Sequence, residues 1–129
     1  MSYANHAVNN SPTIHGIAGD ILTNPAMLAV RFNPAGKFVL PAPDGMAFGI
    51  VLADQATALI DEGVDVQIKD ICYWIAGGIV AAGSELASDV AGKAIVAVGG
   101  RYIIAIALEA GVANQPIMVQ IAKAGYKPV

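Results

Sequence analysis

The apolar residues of this chain occur in short runs that alternate with polar residues, a pattern with the two-residue period of β-strands. Residues 64–68 and 117–121 both show this alternation, so each predicts a strand with one face in the core and the other toward water. Residues 48–53 are almost continuously apolar and predict a strand that is buried on both faces. Glycines interrupt the chain too often for a long helix, so we expect an all-β fold.

Turn residues indicate which of these strands follow one another closely. The segment 33–36, with the sequence NPAG, separates two apolar runs and predicts a hairpin with a four-residue loop. The pair Gly99-Gly100 separates residues 94–98 from residues 102–109 in the same way. We therefore predict that these two runs form a second hairpin and pair with each other.

A chain of 129 residues is long enough for one domain with one substantial core. We assign residues 13–129 to a single β domain, a small β-barrel or a jelly-roll-like sandwich. Residues 1–12 are rich in Asn, Ser and Ala and show no sustained period, so they are interpreted as an extended N-terminal arm. An arm that docks on a neighbouring protein and a frayed terminus both fit this composition.

The amino-acid composition of the chain limits the classes of partner that it could bind. Hydrophobic residues make up 56% of the chain and charged residues only 13%, compared with about 25% charged in an average domain, so we expect another subunit to cover part of the surface. The net charge is −3 and the Lys and Arg residues are scattered, which argues against direct binding to nucleic acid. No apolar run reaches the roughly 20 residues that a membrane span needs, and no secretory signal begins the chain, so a soluble protein is expected.

Residues with reactive side chains form no recognised catalytic or metal-binding motif. His6 and His15 are not spaced as metal ligands, and no glycine-rich phosphate-binding sequence occurs. The single Cys72 lies among apolar residues and is interpreted as a small buried hydrophobe in a protein made in a reducing cytoplasm. Trp74, the only tryptophan, fits either the core or an interface. We therefore expect no enzymatic activity, no metal and no cofactor.

The second half of the chain resembles the capsid cement, or head decoration, proteins of tailed bacteriophages. The resemblance lies in residues 80–92 and 103–121, and residue 105 departs from it because many members of that family have glycine where this chain has alanine. The matching positions are Gly83, Leu86, Asp89, Gly92, Ala107, Leu108, Glu109, Ala110, Val119 and Ile121.

The resemblance implies a non-enzymatic protein of the virion that is made in the cytoplasm of the host bacterium. It would bind the outer surface of the head as a homo-oligomer, a trimer or alternatively a dimer, and stabilise contacts between major capsid protein subunits. The residues expected to contact the capsid or a second protomer are Tyr3, Asn5, His6, Val8 and Trp74. A β-barrel carrier or small-ligand-binding module is the alternative; a biotinyl-type carrier needs an exposed Lys beside Met, and no Lys here has that neighbour.

Overall fold

Ten β-strands lie within residues 12–129, the part of the chain that the computed structural model describes. No α-helix occurs in this range, so the predicted all-β class is confirmed. The strands are β1 (Thr13–Ile17), β2 (Ala29–Phe32), β3 (Phe38–Val39), β4 (Gly49–Val51), β5 (Gly63–Gln67), β6 (Ile71–Ile75), β7 (Glu85–Ser88), β8 (Ala94–Val96), β9 (Tyr102–Ala107) and β10 (Pro116–Tyr126). Burial alternates along β5 and the first half of β10, as the sequence pattern predicts.

The strands form two five-stranded antiparallel sheets, one from each half of the chain. The first sheet has the order β1-β5-β4-β2-β3, and the second has the order β6-β10-β9-β7-β8. A parallel bridge joins the outermost strands of each sheet: Ala18 pairs with Phe38 in the first, and Ala76 pairs with Ala94 in the second. Each sheet is therefore curled toward a small barrel, which agrees with the predicted β-barrel class. The prediction of one core is wrong, because each half of the chain has a core cluster of its own.

The two halves of the chain are copies of one fold. When the strands of each half are numbered from its own first strand, both sheets have the order 1-5-4-2-3. The registers agree as well, because Gln67 on β5 and Gln120 on β10 pair with the two neighbouring strands at equivalent positions. We call residues 12–68 repeat 1 and residues 70–121 repeat 2.

Both repeats make the same hairpin turn after their second strand. In repeat 1, Oδ1 of Asn33 accepts hydrogen bonds from the N–H groups two and four residues later, at 3.0 and 2.9 Å. In repeat 2, Oδ1 of Asp89 accepts the equivalent pair at 3.0 and 2.8 Å. Gly36 and Gly92 occupy the same place in the two turns, with φ of 78° and 84°, which is a conformation that glycine adopts without steric cost.

A lysine follows each turn and donates a hydrogen bond to the loop that precedes the fifth strand of its own repeat. Nζ of Lys37 donates to Oδ1 of Asp61 at 2.7 Å, and Nζ of Lys93 donates to Oδ1 of Asn114 at 2.7 Å. Asp61 and Asn114 both have positive φ, at 69° and 67°, a region that Asp and Asn tolerate better than most residues. The equivalence of the repeats therefore extends from backbone pairing to individual side-chain contacts.

The two repeats also share short matching segments of sequence, which the alternation of apolar and polar residues alone does not reveal. The matching segments are IAGDIL at 17–22 and IAGGIV at 75–80, NPAGK at 33–37 and DVAGK at 89–93, and VDVQI at 64–68 and IMVQI at 117–121. These matches are short, and the loops between them differ in length. A comparison of the chain with itself would have found them.

The interior of each barrel is filled by a different pair of large and small residues. In repeat 1 the ring of Phe38 lies against Gly16, and both face the barrel interior. In repeat 2 the positions equivalent to Gly16 and Phe38 carry Trp74 and Ala94. The large aromatic ring lies on the third strand in repeat 1 and on the first strand in repeat 2. In both repeats a small residue lies opposite the ring, so the two interiors are packed in similar ways.

The predicted surface contact of Trp74 requires correction. Its side chain is fully buried in the core of repeat 2, and its Nε1–H donates to the backbone carbonyl of Gly92 at 2.8 Å. The same carbonyl accepts from the N–H of Ala29 at 2.8 Å, which links the turn of repeat 2 to the second strand of repeat 1. Trp74 therefore supports the contact between the repeats from inside the core.

The hairpin predicted around Gly99-Gly100 is also corrected. Strand β8 pairs with β7, and β9 pairs with β7 on its other side and with β10. The connection through Gly99 and Gly100 therefore crosses β7 and does not join paired strands. The hairpin in this region is β7–β8, closed by the Asp89 turn, whereas the predicted β2–β3 hairpin at residues 33–36 is confirmed.

Candidate docking surface

The outer side of the second sheet carries a group of apolar side chains that face away from the barrel core. Its members come from the three adjacent strands β6, β10 and β9 and from the residue that follows β9. We define this outer face of repeat 2 by Ile71, Tyr73, Ile75, Ile106, Leu108 and Met118. Ile71 and Tyr73 are 56% and 49% exposed, so a large part of the face is open in the single chain.

Strand register brings five of these six side chains into two rows across the sheet, whereas Ile75 pairs with Pro116 beside them. Tyr73 pairs with Met118, whose carbonyl accepts a hydrogen bond from the N–H of Leu108 at 2.9 Å, so these three residues form one row. Ile71 pairs with Gln120, which also pairs with Ile106, and this set forms the other row. The second row continues on β7 to Glu85, which pairs with Ile106 and forms an ion pair with Lys127. Oε1 of Glu109 accepts a hydrogen bond from the N–H of Met118 at 3.1 Å. The centre of the face therefore offers shape and apolar area to a partner, and charged side chains lie at its edge.

The same positions in repeat 1 carry polar residues. The row equivalent to Tyr73 and Met118 contains His15 and Asp65, whose Nδ1 and Oδ1 atoms lie 2.7 Å apart. Both side chains are more than half exposed, so this pair is a surface contact of small energetic weight. One backbone framework thus carries a solvated polar pair in repeat 1 and an uncharged pair in repeat 2.

A groove separates the outer face of repeat 2 from the neighbouring part of repeat 1. Its volume is about 260 Å³, and Nε2 of Gln67 donates to the carbonyl of Ile71 at 2.8 Å beside it. Its lining residues are Val51, Leu52, Ala53, Gln67, Ile71, Cys72 and Tyr73. The outer faces of the two repeats therefore meet at this groove.

A second groove of about 260 Å³ lies where the Asp89 turn of repeat 2 approaches repeat 1. It is mainly apolar, and Ile21, at 58% exposure, and Leu40 stand at its sides. The full lining is Ile21, Leu22, Thr23, Pro25, Leu28, Leu40 and Ala91. No side chain among these carries a charge, so this groove also suits an apolar contact.

Reactive groups within the described residues are few. Burial raises the pKa of the Cys72 thiol to about 12, so the thiol is protonated at neutral pH and is a poor nucleophile. Cys72 packs against the core of repeat 2 but is only partly buried and also lines the groove, so the prediction of a buried hydrophobe is met in part. Across residues 12–129, no group of three or more His, Cys, Asp or Glu side chains is placed to hold a metal ion.

The predicted contact residues fall into two sets. Tyr3, Asn5, His6 and Val8 lie outside the described residues, whereas Trp74 lies in the core and not on the surface. The outer face of repeat 2 was not predicted. Residues 71–76 are apolar throughout, so the sequence does not show which side chains point inward and which point outward. Pairing of β6 with β10 makes that assignment.

Comparisons with known proteins find a similar fold in a solved structure. No protein-family profile matches the chain. No curated protein matches it. Among solved structures, the fold is similar to that of the head fiber gp8.5 N base in bacteriophage phi29, with a TM-score of 0.66 and 14% sequence identity. The match covers 89% of this chain and 97% of that chain, so the likeness extends over both repeats. Within residues 12–129, no helix has the length and apolar character to span a membrane.

Proposed function

We propose that this chain is a non-enzymatic structural protein of a bacteriophage head. The observation that carries the proposal is the fold likeness, over nearly the whole chain, to the base of a head fiber of phage phi29. The resemblance of residues 80–92 and 103–121 to head decoration proteins points to the same broad class, although no family profile matches the chain. The exposed apolar rows and grooves provide the kind of surface through which such a protein would act.

In its finer form, the proposal is that the protein acts as a cement. It would bind the outside of the assembled head, contact major capsid protein subunits and stabilise their contacts. Because such a protein binds the closed shell and not separate subunits, its binding free energy stabilises the shell by mass action. Several weak contacts from one oligomer would add up through multivalency.

The test is binding to heads that lack decoration. Purified protein is mixed with such heads and centrifuged through a density gradient, and we expect the protein to co-sediment with the heads. Bound heads should also release their DNA or lose their shape at a higher temperature than undecorated heads. Protein that stays at the top of the gradient at all concentrations would contradict the proposal.

A shortened chain tests the role proposed for the arm residues Tyr3, Asn5, His6 and Val8. Deletion of residues 1–11 leaves Pro12 in place, whose carbonyl accepts a hydrogen bond from the N–H of Ile68 at 2.7 Å. The fold should therefore remain, while binding to heads should weaken. If the shortened protein binds as well as the full chain, the contact with the head lies elsewhere and only the arm is rejected.

A further inference from the structure

We propose that the outer face of repeat 2 is the surface on which a second copy of this chain docks. The inference deepens the proposed function by naming the contact that would build a homo-oligomer. It rests on the proposed function only for the place of that oligomer on a phage head, and the contact itself is tested without heads.

The first argument is that part of the equivalent surface of repeat 1, next to the exposed His15–Asp65 pair, contacts a copy of the same fold. In repeat 1, Ala29 on β2 and Ile50 on β4 point away from their own barrel and are 0% and 1% exposed. They are buried because they join the core cluster of repeat 2. The corresponding residues of repeat 2 are Ile106, which belongs to the outer face, and Glu85, whose Oε1 accepts a hydrogen bond from Nζ of Lys127 at 2.9 Å at the edge of that face.

The second argument comes from the difference between equivalent positions. His15 and Asp65 of repeat 1 are exposed and paired with each other, as expected for side chains that remain in water. Tyr73 and Met118 occupy the same places in repeat 2 and have no charge to solvate. Aromatic residues and methionine are enriched in protein interfaces relative to the rest of the surface, whereas aspartate is depleted. The composition of the face therefore matches a buried contact.

The third argument is continuity. The outer face of repeat 2 extends into the groove lined by Leu52 and Gln67, so it adjoins the existing contact between the repeats. A second copy seated on the face would extend that contact and would meet the uncharged side chains of Tyr73, Met118 and Leu108. A partner recognised by charge, such as a nucleic acid, would find no counter-charges on these rows.

The test transplants the polar pair of repeat 1 onto repeat 2. In the double variant Tyr73→His/Met118→Asp, the backbone is one that repeat 1 shows to accept His and Asp at these places. The control, Leu59→His/Val112→Asp, introduces the same side chains at exposed positions of 54% and 57% outside the face. Oligomeric state is measured by sedimentation velocity and native mass spectrometry over a wide range of protein concentration, without heads.

We expect the natural chain to self-associate, and we expect the Tyr73→His/Met118→Asp variant to do so at least about tenfold more weakly, since the charged side chain opposes burial. The control variant should assemble like the natural chain. A monomeric natural chain would overturn the proposal, and so would an oligomer that both double variants leave intact. If the natural chain is monomeric and the variant binds heads more weakly, the face contacts the head, and the proposed function stands without the second copy.

A milder variant covers the case in which the double variant does not fold. Ile71→Thr introduces the residue that repeat 1 carries at the equivalent position, Thr13. It removes apolar area from the face without adding a charge. Weaker self-association of a folded Ile71→Thr protein supports the proposal, and unchanged self-association contradicts it.

Discussion

A Cβ atom added at Gly16 would lie 2.5 Å from Cε2 of Phe38, which is closer than non-bonded carbon atoms approach one another. The glycine therefore makes room for the ring. Gly16→Ala should destabilise the protein by about 1–3 kcal/mol, because the ring must shift in a packed barrel. In a Phe38→Ala background the same substitution should lower the free energy of unfolding much less. Urea unfolding of the natural chain, the two single variants and the double variant measures this coupling between the two residues.

The control for this cycle is Gly78→Ala, because an added Cβ at Gly78 meets no atom within 4 Å and the glycine has no positive φ. Its free energy of unfolding should change by less than about 0.5 kcal/mol. Equal costs at Gly16 in the presence and absence of the Phe38 ring would show that the close contact is not the cause.

Asn and Asp should be able to replace each other at the turn positions 33 and 89, whereas alanine should destabilise either turn. Asp89→Ala removes an acceptor that holds two backbone N–H groups, and it should lower the free energy of unfolding by roughly 1–2 kcal/mol. Asp89→Asn should cost clearly less, since repeat 1 makes the same turn with Asn33. Thermal and urea unfolding of the two variants provide the comparison, and equal losses would argue against the side-chain acceptor.

The buried thiol of Cys72 should make stability depend on pH in the alkaline range. Its pKa is raised from 9.0 to about 12 by burial, so between these values the unfolded chain loses a proton that the folded chain keeps. Stability from this group is complete below pH 9 and falls as the pH rises, with a slope of at most about 1.4 kcal/mol per pH unit. The difference between the natural chain and Cys72→Ala, measured by urea unfolding from pH 8 to 11, should show this slope.

The raised pKa of Cys72 and its partial burial beside the groove should slow its reaction with thiol reagents. Native protein should react slowly with a thiol-modifying disulfide at pH 8, and unfolded protein should react at the rate of a free cysteine. Rapid labelling of the native chain, with no unfolding, would contradict the burial of Cys72.

Trp74 should report on the core and not on docking. Because the indole is buried and its Nε1–H is bonded to the Gly92 carbonyl, its fluorescence should resist quenching by iodide until the chain unfolds. Binding to heads or to a second copy should leave its emission almost unchanged. A large spectral change on binding would show that the core of repeat 2 rearranges. Trp74→Phe should destabilise the chain, because it removes side-chain volume from the core and the hydrogen bond to the Gly92 carbonyl.

Local patterns in the sequence were sufficient to predict many of the strands. Alternation at residues 64–68 and 117–121 depends only on neighbouring residues, and the structure confirms it. Strand pairing depends on distant segments, which is why Gly99-Gly100 was interpreted as a hairpin although β8 pairs backward with β7. A glycine pair shows that the chain turns, but it does not show which strand the chain turns toward.

The candidate docking surface was less predictable than the fold, and for a physical reason. Every residue from 71 to 76 is apolar, so hydrophobicity does not distinguish the buried Trp74 from the exposed Tyr73. Only pairing with β10, whose Ile117 and Met118 face opposite sides, assigns each side chain to core or surface. The polar equivalents in repeat 1 then show that the apolar surface is not required by the fold.

The hydrogen bond that the Gly92 carbonyl accepts from the N–H of Ala29 joins two copies of one fold that are held on a single polypeptide. For two separate half-length chains, this contact would form only above a certain concentration. With the copies connected through Lys69 and Asp70, their local concentration is fixed by the short connection and does not fall on dilution. Each copy can then change its exposed side chains independently, without losing its neighbour.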